Sequence, residues 1–246
     1  MTDYASLAAV LVALLIGLTV GKAWERYKLR DGRWIDRRKA RESPHYILGL
    51  NFLVSNQIDL AIEELTRAAS SLTSEALEID MILGNLYREK GQVGRAIQIH
   101  QALLQRPKLT SLEHAYVLLC LGLDFKRAGF VDRALEAFNQ VLRLDPRNHH
   151  ALVNLEKLHE EQHQWPEAYR IRQQLTSASE PDDEPRNREI LAFLETQLGE
   201  QARRQGDAAG ARLRFEAAIE MEPTTAPAYL NLGDMQLAEG QVAQAI

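Results

Sequence analysis

Small, apolar and turn-forming positions repeat along this chain in one fixed order. A Gly and an Ala stand twelve residues apart as Gly49 and Ala61, Gly84 and Ala96, Gly122 and Ala134, Gly199 and Ala211, and Gly233 and Ala245. One further unit keeps Ala168 but carries Glu156 in place of its Gly, so successive units start 35, 38, 34, 43 and 34 residues apart. A period near 34 predicts helical hairpins stacked on one another. Small residues would let helix A of each unit approach helix B. Seven residues after each Gly comes a turn position held by Asn56, Gly91, Gly129, Gly206 and Gly240, residues that adopt a left-handed backbone cheaply. Larger apolar residues, among them Leu83, Tyr87, Leu121, Phe125, Phe138, Phe215, Ile219 and Leu232, should fill the space between hairpins. Pro146 and Pro223 should stop helix B.

The third unit, LGLDFKRAGFVDRALEAFNQVLRLDP, and the fifth, LGEQARRQGDAAGARLRFEAAIEMEP, carry the order most fully, and the fourth, from about 149 to 175, is the weakest. That order resembles the tetratricopeptide repeat: an apolar residue before a Gly, an aromatic three later, then Ala, an aromatic, Ala and Pro. The resemblance implies an all-α right-handed solenoid over residues 43–246, about six units with the last incomplete. Alternating Val, Ile and Thr runs that would signal strands are missing. The segment 176–189, TSASEPDDEPRNRE, reads as a loop that lengthens one interval.

The N-terminus has a different pattern. Residues 4–21, YASLAAVLVALLIGLTVG, hold no charge, and at 1.5 Å each they would span about 27 Å of bilayer. A cleavable signal would start with basic residues, whereas this run is preceded only by Asp3, so residues 1–21 read as a retained transmembrane helix. Residues 22–41 hold nine Lys or Arg against three acids, a local charge of +6. The basic juxtamembrane segment, placed at 22–42, suits anionic lipid and puts the repeats on the cytoplasmic side. With the whole chain at −5, the remainder carries −11, which argues against a nucleic-acid partner.

Candidate chemistry changes this picture little. HEEQH at His159–His163 fits the H-E-x-x-H pattern of zinc metalloproteases, with Glu160 as general base. The repeat register puts His159 where Tyr87 and Phe125 stand in neighbouring units, and His163 on the left-handed turn, so the two imidazoles should not converge on a metal. The remaining histidines, His45, His100, His114, His149 and His150, show no ligand spacing, and the single cysteine, Cys120, reads as a small core side chain. No catalytic residue, cofactor site or metal site is therefore expected, and the chain reads as a non-enzyme. Function falls to the inner-face positions of the A helices: Asn85, Arg88, Tyr116, Lys126, Arg127, Lys157, Arg203 and Arg204, which could line a groove for a partner segment. Of the Lys and Asn set that grips chaperone C-termini in carboxylate-clamp repeats, only Asn85 is in place.

Three stretches match more sharply: YILGLNFLVSNQIDLAIEEL at 46–65, LGNLYREKGQVGRAIQIHQALLQ at 83–105 and LGLDFKRAGFVDRALEAFNQVL at 121–142. Behind an N-terminal apolar run and a basic flank, they resemble the lipopolysaccharide assembly protein B family over most of residues 1–175. The resemblance implies a single-pass protein of the bacterial inner membrane with cytoplasmic repeats. It implies an adaptor that restrains lipopolysaccharide synthesis by helping a membrane AAA protease degrade the deacetylase of the lipid A pathway. Its partners would be those proteins, other lipopolysaccharide transport or synthesis proteins, and membrane lipids through the anchor and basic flank, with no nucleic acid. The family also ends in a rubredoxin-like module whose paired C-x-x-C motifs hold a metal. This sequence has one cysteine and stops at Ile246, one residue after Ala245 and inside helix B of its sixth unit, so it reads as a fragment or an early-terminated product with no cofactor of its own. The alternative is a tetratricopeptide scaffold for some other envelope or membrane assembly.

Overall fold

A computed structural model describes residues 43–71, 77–177 and 184–240. The expected anchor and basic flank lie outside the described residues, as does the end of the sixth unit. Among the described residues no helix is long and apolar enough to cross a membrane. Regular structure there consists of eleven α-helices, and the chain divides into two compact units, residues 1–106 and 107–246.

The first unit holds α1 (Pro44–Val54), α2 (Ile58–Ser71), α3 (Leu77–Glu89) and α4 (Val93–Leu104), paired α1 with α2 and α3 with α4. The second holds α5 (Ser111–Arg127), α6 (Val131–Leu144), α7 (His149–Glu161), α8 (Trp165–Ser177), α9 (Glu184–Arg204), α10 (Ala208–Met221) and α11 (Ala226–Ala238). Within it α5 pairs with α6, α7 with α8 and α9 with α10, each pair packing on the next. Odd-numbered helices are the A helices of the repeats and even-numbered ones the B helices.

Local chemistry sets the helix ends. Thr110 and Glu113 form a capping box at the start of α5: the Thr110 hydroxyl accepts from the Glu113 N–H at 3.2 Å, and Glu113 Oε2 accepts from the Thr110 N–H at 2.9 Å. Asn148 caps α7 by accepting from the Ala151 N–H at 3.0 Å. All five expected turn residues adopt positive φ, and so does His163 at 55°. The helices before Pro146 and Pro223 end at Leu144 and Met221.

One expectation is refined and another corrected. The recurring Gly does not chiefly let two backbones touch; it makes room for a side chain sixteen residues later. A Cβ on Gly122 would come within 2.6 Å of the Phe138 ring, and one on Gly199 within 2.6 Å of the Phe215 ring. Both rings are fully buried. The same offset sets Gly49 against Leu65 and Gly84 against His100. Phe138 and Phe215 thus lock a hairpin internally rather than only bridging hairpins. The aromatic three residues after the Gly is also covered: the Arg133 guanidinium lies 4.0 Å from the Phe125 ring centre, and that of Arg95 5.5 Å from Tyr87.

The corrected expectation concerns the loop at 176–189. α8 runs on to Ser177 and α9 begins at Glu184, so most of the extra length enters a helix of 21 residues. Pro185 at the first turn lacks only an N–H that would have had no helical partner, and Glu184 suits the positive end of the helix dipole. Asn187, on this added turn, is buried.

Candidate partner-binding surface

The eight candidate groove residues all lie on A helices, divided between the two units. Asn85 and Arg88 sit half-buried on α3 of the first unit. Asn85 Oδ1 is buried with no hydrogen-bond donor in reach among the described residues. In the second unit Tyr116, Lys126 and Arg127 lie on α5, Lys157 on α7, and Arg203 and Arg204 on α9.

These six are not electrostatically alike. Lys126 Nζ stands 3.8 Å from Glu161 Oε1, an ion pair that joins the A helices α5 and α7. Burial lowers the Lys126 ammonium below its ordinary pKa of 10.5, with Glu161 opposing and neighbouring Lys157 adding to the fall. Burial likewise raises the Glu160 carboxyl above its ordinary value of 4.5, against the pull of Arg172 and Lys157. Lys126 is therefore half-buried and engaged, while Arg127 and Lys157 are exposed. On α9, Arg204 reaches Glu200 Oε2 at 3.1 Å one turn away, a surface pair worth roughly 0.3–0.5 kcal/mol and easily exchanged for a partner's carboxylate. Arg203 is exposed on the same turn. Tyr116 and Phe193 add large apolar area at 48% and 46% exposure. Exposed cations with exposed aromatics suit a partner segment that is acidic and partly apolar.

Sequence reasoning missed a buried ionic group in the fourth repeat. Glu156 occupies the Gly position, and Arg172 stands sixteen residues later, where neighbouring repeats carry a ring. Arg172 Nε donates to Glu156 Oε1 at 2.5 Å, its Nη2 donates to Oε2, and its Nη1 donates to Asn187 Oδ1 at 3.3 Å. Burial raises the Glu156 carboxyl above 4.5, and the Arg172 guanidinium only partly offsets this. A second such pair joins α9 to α10: Arg214 Nη1 donates to both oxygens of buried Glu195, at 3.1 and 2.9 Å. This pair walls an open cleft of about 590 Å³, also lined by Pro166, Leu198, Gln201, Gln205 and Leu213. The sixteen-residue offset was the signal that could have found the first pair; nothing in the spacing marks the second.

The HEEQH residues do not come together. α7 ends at Glu161, and His163 lies past that end in the left-handed turn. His159 Nδ1 instead contacts Gln164 Oε1 at 2.6 Å, and the His163 ring packs 5.2 Å from Trp165. Trp165 in turn meets Phe193 edge-on at 6.2 Å, tying the start of α8 to α9. Nor do the residues present fit the metal of a rubredoxin-like module. Cys120 is buried, and no group of three or more His, Cys, Asp or Glu that could hold a metal occurs among the described residues.

Hairpins locked by a Gly and a side chain sixteen residues on, each turning through a left-handed residue, define a helical-repeat binding protein. The chain belongs to the tetratricopeptide repeat family, whose model matches residues 46–108, 120–169 and 196–246. Among curated proteins it is 30% identical over 206 residues to lipopolysaccharide assembly protein B of Escherichia coli (strain K12), covering 84% of this chain and 52% of that protein. Its counterpart in Haemophilus influenzae is 26% identical over 246 residues, covering 96% of this chain and 60% of that protein. The chain thus spans about half the length of the first of these relatives (52%). Solved structures share the fold: a tetratricopeptide repeat protein from Parabacteroides merdae has TM-score 0.56 at 18% identity, covering 85% of this chain and 76% of that one. The tetratricopeptide protein YrrB has TM-score 0.53 at 16% identity, covering 79% of this chain and 93% of that one.

Proposed function

We propose that this protein is an adaptor held in the bacterial inner membrane by residues 1–21, with its repeats on the cytoplasmic side, and that it restrains lipopolysaccharide synthesis. In this reading the A helices hold a protein partner and bring the lipid A pathway deacetylase to a membrane AAA protease. The observation that carries it is the similarity to lipopolysaccharide assembly protein B along 84% of the chain. The surface chemistry supports it: the A helices of the second unit expose the cations Arg127, Lys157 and Arg203 and the rings of Tyr116 and Phe193, which fits capture of a protein segment rather than turnover of a small substrate.

The test is the cellular level of the deacetylase. Depleting the protein should raise that level several-fold, and a chain carrying Arg127→Glu and Lys157→Glu should fail to restore it while folding normally, because both side chains are exposed. An unchanged deacetylase level on depletion would sink the reading. Restoration by the double variant would move the binding surface elsewhere.

A further inference from the structure

We infer that the first repeat itself rests on the membrane: the outer face of α1 is an interfacial lipid contact, seated on an anionic bilayer surface. The inference rests on the anchored reading above and adds to it a second point of attachment.

α1, with sequence PHYILGLNFLV, contains no Asp, Glu, Lys or Arg. Its inward side supplies buried Tyr46 and Gly49, packed on α2 and α3 with Leu50, Phe52 and Leu53. Its outward side is centred on Pro44, Ile47, Leu48, Asn51 and Val54, which helical periodicity gathers on one face, with exposed His45 at the edge of that face. Ile47 is 51% exposed, Leu48 42% and Val54 88%. A helix in water normally keeps polar residues on the face it does not bury, and a helix apolar on both faces needs a second apolar surface.

Charge selects the occupant. α1 begins at Pro44, just past the segment 22–42 with its local charge of +5, which draws this end of the chain to anionic headgroups. That segment is too rich in cations to supply an apolar cover of its own. The neighbouring helix α2 brings three acids, Asp59, Glu63 and Glu64, which would oppose an anionic surface if unpaired. Asp59 pairs with Lys90, while Glu63 at 2.5 Å and Glu64 at 2.7 Å share the one cation of Arg67, and His45 Nδ1 lies 2.7 Å from Glu64, so a single net negative charge is left on this side of α2. An apolar face without Asp, Glu, Lys or Arg, beside a basic stretch whose positive charge outweighs the one acidic charge left on α2, is the pattern of a helix lying in the headgroup boundary.

The experiment places one fluorophore at a time on the full chain, through Ile47→Cys, Val54→Cys or, as a control, Gln98→Cys on α4, with buried Cys120 left in place. Val54 and Gln98 are exposed, so these substitutions spare the core. The labelled protein is reconstituted into phosphatidylethanolamine and phosphatidylglycerol vesicles with or without brominated acyl chains. Dyes at positions 47 and 54 should shift to the blue and be quenched about twofold by bromine, and the dye at 98 should do neither. Water-like emission at 47 and 54 in protein that floats with the vesicles would overturn the lipid contact and leave the anchor standing. A blue shift without bromine quenching would also overturn it, by showing that the face is covered by residues 22–42 or by a second copy. Failure of the chain to float would instead sink the anchored reading.

Discussion

Glu156 and Arg172 show how much a repeat tolerates when two of its positions change together. In four other repeats the corresponding places pair Gly with Leu, His or Phe, and in the fourth a carboxylate and a guanidinium fill the same volume. Desolvation dominates the Glu156 carboxyl, so the pair adds little net stability, but breaking it strands a buried charge. Arg172→Ala should destabilise the chain by about 3–5 kcal/mol in chemical denaturation. Replacing Glu156, Arg172 and Asn187 together by Gly, Phe and Leu should be neutral or stabilising by roughly 1–4 kcal/mol. The pH dependence has a definite sign. A carboxyl whose folded pKa is raised holds its proton more tightly folded than unfolded, so its share of stability is full below its ordinary 4.5 and is lost as pH rises through the raised value. The stability of the native chain measured against Glu156→Gln should therefore fall as pH climbs from the acid range towards neutrality. A difference that rises with pH would show that the ion pair outweighs its desolvation.

At the scale of the helical hairpin, the interlocking of Gly and ring is the fold's main constraint. In Gly122→Ala the new methyl meets the fully buried Phe138 ring, so the ring must shift within the packed core. We expect a loss of about 1–3 kcal/mol, largely recovered when Phe138→Leu is added, as read by thermal unfolding. Gly94, with nothing near its Cβ direction, gives the contrasting site, where the same change should be harmless. The hairpins themselves were legible in the sequence because Gly, a left-handed turn residue and Ala each answer to a local backbone or volume demand. What could not be read came from pairing at a distance. Arg172 looks like a surface cation until its place opposite Glu156 is known, and Arg214 gives no hint that it grips Glu195. The reading of 176–189 as loop failed at both ends, and at 184–189 because Pro185 and the acids around it mark the first turn of a helix as readily as a break, while 178–183 lie outside the described residues. For the candidate surface, the register located the A-helix positions, but only the packing distinguishes engaged Lys126 from exposed Lys157.

Across the whole molecule, helical repeats couple chiefly to their neighbours, so damage should stay local. Hydrogen exchange on Gly122→Ala should speed up in α5 to α8 and decline towards α11 within the second unit; a uniform rise through α11 would mark all-or-none opening instead. Trp165 gives that unit an internal reporter. The chain has three tryptophans, and the other two, Trp24 and Trp34, precede the first described helix. A chain trimmed to its repeats would emit from Trp165 alone, wedged between the His163 imidazole and the Phe193 ring. Its spectrum would then follow the seam between the fourth and fifth repeats, beside the ionic group that replaces the usual Gly lock, and a protein partner closing over Phe193 would be visible without any added label.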